Sequence, residues 1–382
     1  MITFSAIINI IFFTAIAIVL LKMIFRDNNA ILRLDIRFLL VCMLLILIRL
    51  FIPIESPIAN NIPVNKIYPD IYMLLKYPRF TVKNIEVNFI MILACIWFGG
   101  AVIAMVRLVY SYVSVKKQVE GFVEIKDFQI IKVMQCLNEK NKLPVQFKLV
   151  TSDTVYTPFV FGILNPYIVI TPNSFTEEEL YFVLEHEIAH YYCGDMITKL
   201  FCEILKAIYW WNPFVYILAK IVADMQEINV DFSIIKKLPE LKQLDYLGCL
   251  IKVARSREKK KSENRWLIAF QKESPSATHK RIKLMLENME ISKGKTLVSI
   301  ILSAGILCLV VLCPNVLIFE PYSISEEDAA GSFGLNDNMY YIHNQNDTYS
   351  IYLQGQYVGT ISEVFGENVQ VYSNLKEVEG NE

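Results

Sequence analysis

Four long apolar segments constrain this chain more than any other feature of its sequence. Residues 2–21 carry no charge, and further apolar runs occupy residues 38–54, 89–112 and 296–319. About 20 apolar residues cross the hydrocarbon core of a bilayer as a helix, and lipid offers the backbone no other hydrogen-bond partners. Because 54% of all residues are also hydrophobic, the sequence predicts a membrane protein with four transmembrane helices.

The first apolar segment has two interpretations, a retained helix and a cleavable signal peptide. A signal peptide has a basic segment before its apolar core and small residues at a cleavage site after it. Here no basic residue precedes the segment, and Lys22 and Arg26 follow it closely. We therefore expect this segment to remain as the first transmembrane helix.

Basic residues near the ends of the segments predict the topology, because loops rich in Lys and Arg face the cytoplasm. These residues are Lys22, Arg26, Arg33, Arg37, Lys116, Lys117, Lys293 and Lys295. Residues 113–295 are then expected in the cytoplasm, and residues 55–88 and 320–382 outside, together with the amino terminus. The net charge of −1 gives no indication of nucleic-acid binding.

The cytoplasmic segment is long enough for one domain with its own core. Its pattern predicts a helix over residues 121–141, a short strand over 146–150 and one or two strands with a turn over 155–170. Ser174 or Thr176 then caps a further helix, and the glutamates that follow suit the positive end of that helix.

Two further apolar segments, residues 200–209 and 214–223, resemble membrane spans in composition. Each is too short to cross a bilayer alone, and the charges of Glu203, Lys206 and Lys220 argue against burial in lipid. We expect these helices to pack in the core of the domain or to lie against the membrane surface.

The candidate chemistry lies in the segment His186-Glu187-Ile188-Ala189-His190. Histidines four residues apart share one face of a helix and can bind one zinc ion. A glutamate beside the first histidine is suitably placed as the general base of a hydrolytic site. The alternative is a solvated helix that carries two histidines by chance. The apolar flanks of the segment favour a buried catalytic helix instead.

A catalytic zinc site with two histidines needs a third protein ligand. Glu203 lies about 20 Å beyond the histidine pair on an unbroken helix, out of reach unless the chain turns at Gly194. Glu227 is better placed, because a break before Pro213 allows the next helix to return antiparallel. Asp231 follows one turn later, where its carboxylate can accept the ring N–H of a ligating imidazole.

Five motifs of the chain fit one known pattern. They are His186-Glu187-x-x-His190, Gly194-Asp195, Trp210-Trp211-Asn212-Pro213-Phe214, Glu227-x-x-x-Asp231, and a strand region that begins Pro158-Phe159-Val160-Phe161-Gly162 and ends at Ile170. This pattern resembles the BlaR/MecR-type membrane zinc metallopeptidases, whose members sense β-lactams and relieve repression. The resemblance covers residues 1–319, including four spans around a zinc domain.

The resemblance implies a gluzincin-type peptidase domain with one zinc ion per chain. The implied zinc ligands are His186, His190 and Glu227, with Glu187 as base and acid and with Asp231 and Asp195 holding the ligands in place. An extended substrate can also add to the strand edge at residues 158–162 and be recognised through its backbone.

The tail from residue 320 departs from this pattern, because the β-lactam sensors carry a penicillin-binding domain after the fourth helix. About 60 residues follow in this chain, too few for such a domain, and we expect no β-lactam acylation. Runs at residues 339–343, 349–353 and 357–361 predict a small β-meander. Its tyrosines fit contact with an unknown extracellular ligand or partner, although half-buried strand faces use the same residues.

The segment 252–265 is rich in Lys and Arg and has three interpretations. It can be a plain solvated loop, a contact with anionic lipid headgroups or, by the same resemblance, a self-cleaved activation loop. The plain loop is the simplest of the three.

The sequence as a whole predicts an α-helical membrane protein with four transmembrane helices, a cytoplasmic α+β gluzincin-type zinc peptidase domain and a small extracellular β-rich tail. We expect a signal-transducing protease that cleaves a cytoplasmic regulator such as a transcriptional repressor. Two alternatives remain open. One is a constitutive quality-control zinc protease of the membrane, and the other is a non-catalytic receptor with a structural zinc site.

Overall fold

The structure is a computed structural model, and it divides the chain into two compact units. The first unit comprises residues 1–63 and 72–320, and the second comprises residues 64–71 and 321–382. The residues that the structure describes are 4–28, 31, 36–52, 60–64, 68–76, 78–82, 85–141, 144–171, 175–258, 275–288 and 317–321, parts of 301–313 and most of 339–373.

The amino-terminal part consists of long apolar helices joined by short polar elements. Its elements are α1 (Phe4–Arg26), α2 (Ile36–Phe51), β1 (Asn60–Val64), α3 (Tyr68–Lys76), β2 (Pro78–Val82), β3 (Ile85–Asn88) and α4 (Phe89–Glu120). Strand β2 pairs with β3, and Asn88 caps α4 by accepting a hydrogen bond from the backbone N–H of Met91. Helix α4 continues eight residues beyond the predicted third span.

Two helices of the described chain, at residues 7–26 and 89–120, are long and apolar enough to cross a membrane. Helix α2 is apolar but shorter, with 16 residues. The predicted fourth span, residues 296–319, lies mostly outside the described residues. The part of the chain that the structure describes therefore supports the first and third predicted spans by length and composition.

The following segment forms a small sheet with one helix beside it. Its elements are β4 (Val123–Glu124), α5 (Phe128–Asn141), β5 (Lys148–Thr151), β6 (Phe159–Phe161) and β7 (Tyr167–Ile170). The strand order is β4-β5-β7-β6, with β5 parallel to β7 and β6 antiparallel to it. The predicted helix over residues 121–141 is wrong at its start, because the chain first forms β4 against β5 and enters the helix at Phe128.

Five helices complete the domain: α6 (Glu177–Tyr192), α7 (Asp195–Ile208), α8 (Pro213–Ile235), α9 (Glu240–Glu258) and α10 (Pro275–Asn288). Thr176 begins α6 with a reciprocal capping box to Glu179, which confirms one of the two predicted caps. Asn212 caps α8 through the backbone N–H of Phe214, and Pro213 stands at the first helical position, where its missing N–H costs nothing.

Helix α6 lies at the centre of the domain, between two apolar cores. On one side Leu184 and Ile188 pack with residues of α5, β6 and β7. On the other side Phe182 and Val183 pack with residues of α8, α9 and α10. The opposite face of the sheet is covered by Val115 at the end of α4 and its neighbours. Because side chains alternate along a strand, strands β5, β6 and β7 present one set of side chains to α6 and the other set to the end of α4.

Helices α7 and α8 form a hairpin that packs against the amino-terminal helices. A single buried cluster joins Leu21 of α1 and Ile46 of α2 to Leu205 of α7 and Leu218 of α8. The expectation that these apolar helices pack in a core is thereby confirmed for their inward faces. Their outward faces stay exposed in the structure, as described below.

The next strand along the chain is β8 (Leu317–Pro321). The second unit contains a four-stranded sheet of β9 (Met339–His343), β10 (Tyr349–Leu353), β11 (Gln356–Ile361) and β12 (Gln370–Tyr372). The predicted meander is confirmed, because β9, β10 and β11 pair antiparallel in sequence order. Strand β12 was not predicted, and it pairs parallel to β9. Tyr341 and Ile351 are buried in this unit, so some tyrosines form its small core.

The cap of α6 generates a stability prediction. Replacing Thr176 by Ala removes the side-chain acceptor for the backbone N–H of Glu179, which typically costs about 1 kcal/mol. We expect the Thr176→Ala protein to unfold at a lower temperature than wild type in detergent, measured by circular dichroism. Thr176→Ser keeps the acceptor and should unfold close to wild type. Equal losses in both variants would show that the cap does not stabilise the helix.

Candidate metal centre

Two imidazoles of α6 meet in a buried position. His186 and His190 are 9% and 5% exposed, and their rings lie edge to face with centroids 4.7 Å apart. The Nε2 atoms of the two rings are 3.1 Å apart. The spacing of four residues therefore gives the shared helix face that the sequence predicts.

A turn and a helical hairpin bring a carboxylate to the same point. Gly194 follows α6 with a φ of +74°, a conformation that glycine adopts without strain, and α7 then leads away from the histidines. Helix α8 returns with Glu227, whose carboxylate oxygens lie 3.4 Å from Nε2 of His186 and 3.5 Å from Nε2 of His190. Ligand atoms of these three residues all lie within 4.8 Å of one another.

Glu203, the rejected third ligand, lies on α7 and forms an ion pair with Lys206. The chain does turn at Gly194, but α7 then runs away from the histidines. In the part of the chain that the structure describes, the metal-capable cluster consists of His186, His190 and Glu227.

Each histidine uses its other ring nitrogen in a buried hydrogen bond. Nδ1 of His190 lies 2.6 Å from Oδ2 of Asp195, the first residue of α7. Nδ1 of His186 lies 3.0 Å from the hydroxyl of Tyr246 on α9, and that hydroxyl donates to Oδ1 of Asp231 over 2.8 Å. Asp231 itself is 3.5 Å from Nδ1 of His186, so its contact with the ring runs through Tyr246.

Arg281 of α10 neutralises the acidic side of this network. Its guanidinium donates through Nε to Oδ2 of Asp231 over 2.7 Å and through Nη2 to Oδ1 over 2.9 Å. Its Nη1 also lies 3.0 Å from Oε2 of Glu227. Arg281 and Asp231 are both buried. A buried carboxylate pair needs such a partner, because an isolated buried charge is strongly destabilising.

The hydrogen bonds fix where the lone pairs of the two rings point. Because Tyr246 gives its proton to Asp231, it accepts the Nδ1 proton of His186, and Asp195 accepts the Nδ1 proton of His190. In the neutral rings both Nε2 lone pairs then face the carboxylate of Glu227. Two nitrogens and one carboxylate converging without a proton require a cation, and this donor set suits zinc.

The charges of the site agree with this arrangement. Burial opposes the charge on His190, but Glu227 and the hydrogen bond with Asp195 outweigh burial and raise its pKa to about 10. Burial likewise opposes ionisation of Glu227, but His190 and Arg281 hold the pKa of this carboxyl well below its usual range. Without a metal ion, the proton on His190 therefore provides the positive charge between the imidazoles and Glu227.

Tyr246 also keeps its proton. Burial first, and then the charge of Asp231, raise the pKa of its hydroxyl well above the usual value. The hydroxyl can therefore donate to Asp231 and accept from His186 at any physiological pH.

Glu187 lies on the same turn of α6 as His186 and is 7% exposed. Among the described residues its carboxylate has no hydrogen-bond or ion-pair partner, in contrast to Glu227, Asp231 and Asp195. A general base needs a carboxylate oxygen that no cation already occupies, and Glu187 meets this condition among the described residues.

The strand predicted to meet a substrate lies at an edge of its sheet. In the described sheet β6 pairs with β7 on one side only, and it packs beside α6. Pro158 and Gly162 flank the strand, and Gly162 has a φ of +100°. A Cβ at this position would lie 2.6 Å from the carbonyl oxygen of Asn165, so glycine is required where the chain turns into β7.

Sequence reasoning missed Tyr246 and Arg281, although it named the other members of the network. They lie 60 residues after His186 and 50 residues after Asp231, in helices that carry no recognisable motif. The sequence signal that could have found them is a polar residue among the apolar residues of a helix, since Tyr246 stands beside Leu247 in α9 and Arg281 stands near Leu284 in α10. That signal does not say which distant group each residue contacts.

Comparison with known proteins gives one family and several relatives. The sequence matches the family described as BlaR1 peptidase M56 over residues 3–285. It is 26% identical to the regulatory protein BlaR1 of Bacillus licheniformis over 186 residues, 48% of this chain and 30% of that protein. It is 27% identical to the methicillin resistance mecR1 proteins of Staphylococcus aureus and Staphylococcus epidermidis over 149 residues, 34% of this chain and 26% of theirs. The matched regions thus span less than a third of these relatives' length.

The bridge through Tyr246 generates a prediction about metal affinity. Tyr246→Phe keeps the ring, which packs edge to face on Phe182, but removes the acceptor for Nδ1 of His186. We expect zinc affinity to fall about 10- to 100-fold, as for other residues that orient metal ligands, in competition with a chromogenic chelator. Tyr181→Phe removes a hydroxyl that accepts from Lys140 and should leave affinity unchanged. Wild-type affinity in Tyr246→Phe would contradict the bridge.

The raised pKa of His190 generates a prediction about pH. In chelator-treated protein this imidazole is protonated at neutral pH, because its pKa is about 10, and a metal ion must displace that proton. Apparent zinc affinity should therefore rise about tenfold per pH unit between about pH 6 and pH 8, with about one proton released per ion. Calorimetric titration in two buffers of different ionisation enthalpy measures the release. Affinity independent of pH would rule out a protonated His190.

Proposed function

This chain belongs to the BlaR1 peptidase M56 family, and from that premise we propose that it is a membrane-anchored zinc endopeptidase that transmits a signal by cleaving a protein. The observation that carries the proposal is the convergence of His186, His190 and Glu227 within 4.8 Å. These residues stand where the family resemblance expects zinc ligands, and their lone pairs face one another.

His186, His190 and Glu227 hold one zinc ion in this proposal. Zinc in such a site polarises a peptide carbonyl and activates the attacking water. The hydrogen bonds of Tyr246 and Asp195 keep both imidazoles in the tautomer that presents Nε2 to the metal.

Glu187 moves the protons of the reaction. Its buried carboxylate takes a proton from the attacking water and passes it to the nitrogen of the leaving amine. Its lack of a cationic partner in the described chain supports this role, because a carboxylate held by arginine would be a weak base.

The substrate binds as an extended strand along the free edge of β6, at residues 158–162. Backbone hydrogen bonds then provide affinity without strong demands on side chains. The position of this edge beside α6 supports the proposal, because the scissile bond must reach the histidines.

The membrane topology of the proposal has four transmembrane helices, with the amino terminus and the β-rich tail outside and residues 113–295 in the cytoplasm. Zinc-dependent cleavage would then act on a cytoplasmic regulator such as a transcriptional repressor, as the family resemblance implies. The second unit is the candidate sensor of an external ligand or partner, and direct acylation by β-lactams is not part of the proposal.

The role of Glu187 has a direct test. Cells that produce the wild-type chain and cells that produce Glu187→Gln are compared by proteomics, and the purified variant is assayed for zinc. We expect the variant to retain about one zinc per chain, because the three ligands are intact, while cytoplasmic cleavage products disappear. A fall in rate of about 100-fold or more is typical for loss of a catalytic base.

Glu178→Gln is the matched control, because Glu178 is exposed on the same helix and its ion pair in the described part of the chain is with Lys242. It should keep both zinc and cleavage. Persistent cleavage products in the zinc-loaded Glu187→Gln protein would overturn the assignment of the base. An unchanged cellular phenotype without any cleavage product in wild type would instead favour a receptor with a structural zinc site.

A further inference from the structure

The hairpin of α7 and α8 carries large apolar side chains on its outward face. The most exposed are Ile197, Leu200, Phe201, Trp210, Trp211 and Tyr216, each between 37% and 50% exposed. The adjoining helix α4 is also apolar and exposed along its first span, for example at Phe98 with 64%. The two groups of side chains lie on neighbouring helices, since α4 packs against α7, and clustered exposed apolar side chains mark an interaction surface.

Residues 208–213, where α7 ends and α8 begins, form the tip of the hairpin. Two tryptophans connect this tip to α4 through hydrogen bonds. The indole Nε1 of Trp97 donates to the carbonyl of Ile208 over 2.9 Å, and Nε1 of Trp210 donates to the carbonyl of Trp97 over 3.2 Å. Gly100 of α4 lies directly under the Trp210 ring, because a Cβ there would be 2.4 Å from it. The tip is therefore held at the level of residues 97–100 of α4.

This level lies deep in the bilayer if α4 crosses it. Residues 89–106 of α4 are uncharged, and Arg107, Lys116 and Lys117 lie on the side of the catalytic domain. Trp97 is eight residues from Phe89, or about 12 Å along the helix. In a hydrocarbon core of about 30 Å, the tip then lies about 18 Å from the boundary on the domain side, past the bilayer centre.

Helix α2 gives an independent measure of the same depth. The hydroxyl of Tyr209 donates to the carbonyl of Leu50 over 2.9 Å, and Leu50 lies fourteen residues, about 21 Å, from Ile36 at the domain-side end of α2. Phe201 of α7 also stacks edge to face on Phe51, with ring centroids 5.6 Å apart. Helices α4 and α2 therefore both place the tip about 20 Å from the boundary of the hydrocarbon core on the domain side.

Three successive backbone carbonyls of the tip are satisfied inside the protein, as lipid requires. The carbonyls of Ile208, Tyr209 and Trp210 accept from Trp97 Nε1, from the Asn212 backbone N–H and from the Tyr216 hydroxyl, respectively. Pro213 has no N–H to satisfy. A helix–helix turn in water would not need all three carbonyls bonded.

The charges on the hairpin are compatible with this depth. Glu203 and Lys206 of α7 form an ion pair, and charged residues within membranes are tolerated when they pair with each other. Lys220 of α8 is seven residues from Pro213, so its side chain is long enough to reach the headgroups.

We propose that the α7–α8 hairpin is a re-entrant membrane element whose outward face contacts lipid acyl chains past the bilayer centre. The hairpin enters and leaves on the side of the catalytic domain. Since α7 begins at Asp195 and Glu227 lies fourteen residues, about 21 Å, after Pro213 on α8, the metal cluster is at the hydrocarbon boundary. A bond that is cleaved there is presented at the membrane surface.

Depth-dependent quenching of tryptophan tests this proposal. The chain has four tryptophans, and the full-length variants Trp266→Phe and Trp211→Phe/Trp266→Phe are reconstituted in vesicles of brominated phosphatidylcholine. Both variants keep Trp97 and Trp210, whose hydrogen bonds hold the tip against α4, and the difference between their emissions is the emission of Trp211. We expect bromine near the bilayer centre to remove most of the emission, and bromine near the headgroups to remove less. In the Trp211→Phe/Trp266→Phe background, the emission added by Phe98→Trp on α4 should have the same depth profile.

Leu241→Trp is the aqueous control, because Leu241 is 81% exposed on α9. Its emission should survive in both lipids and be quenched by soluble acrylamide. If Trp211 is quenched most by bromine near the headgroups, or only by acrylamide, the hairpin does not enter the bilayer and the proposal is overturned. None of these readouts depends on peptidase activity.

A second comparison keeps all native tryptophans except one. Trp211→Arg puts an unpaired charge into lipid and should sharply reduce the amount of folded protein recovered from membranes. Leu241→Arg places the same charge in water and should match wild type. Equal recovery of both variants would contradict lipid contact at the tip.

Discussion

The site depends on two imidazole lone pairs and one carboxylate that face one another in a buried space. Nε2 of His186 and Nε2 of His190 are 3.1 Å apart, a distance that neutral nitrogens accept only with a proton or a metal ion between them. Three further polar residues support this convergence. Asp195 and Tyr246 form hydrogen bonds with the Nδ1 atoms of the two rings. Arg281 forms ion pairs with Glu227 and Asp231, whose two negative charges one proton or metal ion near the histidines would not balance.

This dependence explains why the site draws on helices far apart in sequence. Helix α6 provides the histidines and Glu187, α8 provides Glu227, and α9 and α10 provide Tyr246 and Arg281. The two cores that enclose α6 fix these helices against one another. Loss of one charge in the network leaves another buried without a partner, which is costly, so the apolar packing and the polar network stabilise each other.

Helix α8 connects this chemistry to the membrane part of the molecule. Its first half packs with α1 and α2 in one apolar cluster, and its second half carries Glu227 and Asp231. A displacement of the amino-terminal helices along α8 would therefore change the position of Glu227 relative to the histidines. That mechanical link is a physical route by which a membrane event can reach the site, because packed helices move as rigid elements.

The sequence by itself determined the local features: the apolar helices, the capped α6, the break at Asn212 and Pro213, and the shared face of His186 and His190. Each follows from short-range rules of period, capping and backbone conformation. The position of Glu227 near the histidines was also predictable from the sequence, because the turn before Pro213 and the length of α8 determine where this residue returns. The predicted start of α5 was wrong, since pairing of β4 with β5 decides where that helix begins.

Only the tertiary structure decided what Tyr246 and Arg281 contact and where the α7–α8 hairpin lies. Tyr246 contacts groups 15 and 60 residues away, and Arg281 contacts a group 50 residues away. No periodicity encodes which buried groups meet across two helix interfaces. In the same way, the pairing of Glu203 with Lys206 and the bonding of Trp97 to Ile208 change what the charges and polar groups of the hairpin require. The free-energy cost of burying a polar group depends on whether it has a hydrogen-bond or ion-pair partner, and the tertiary fold determines which partner it has.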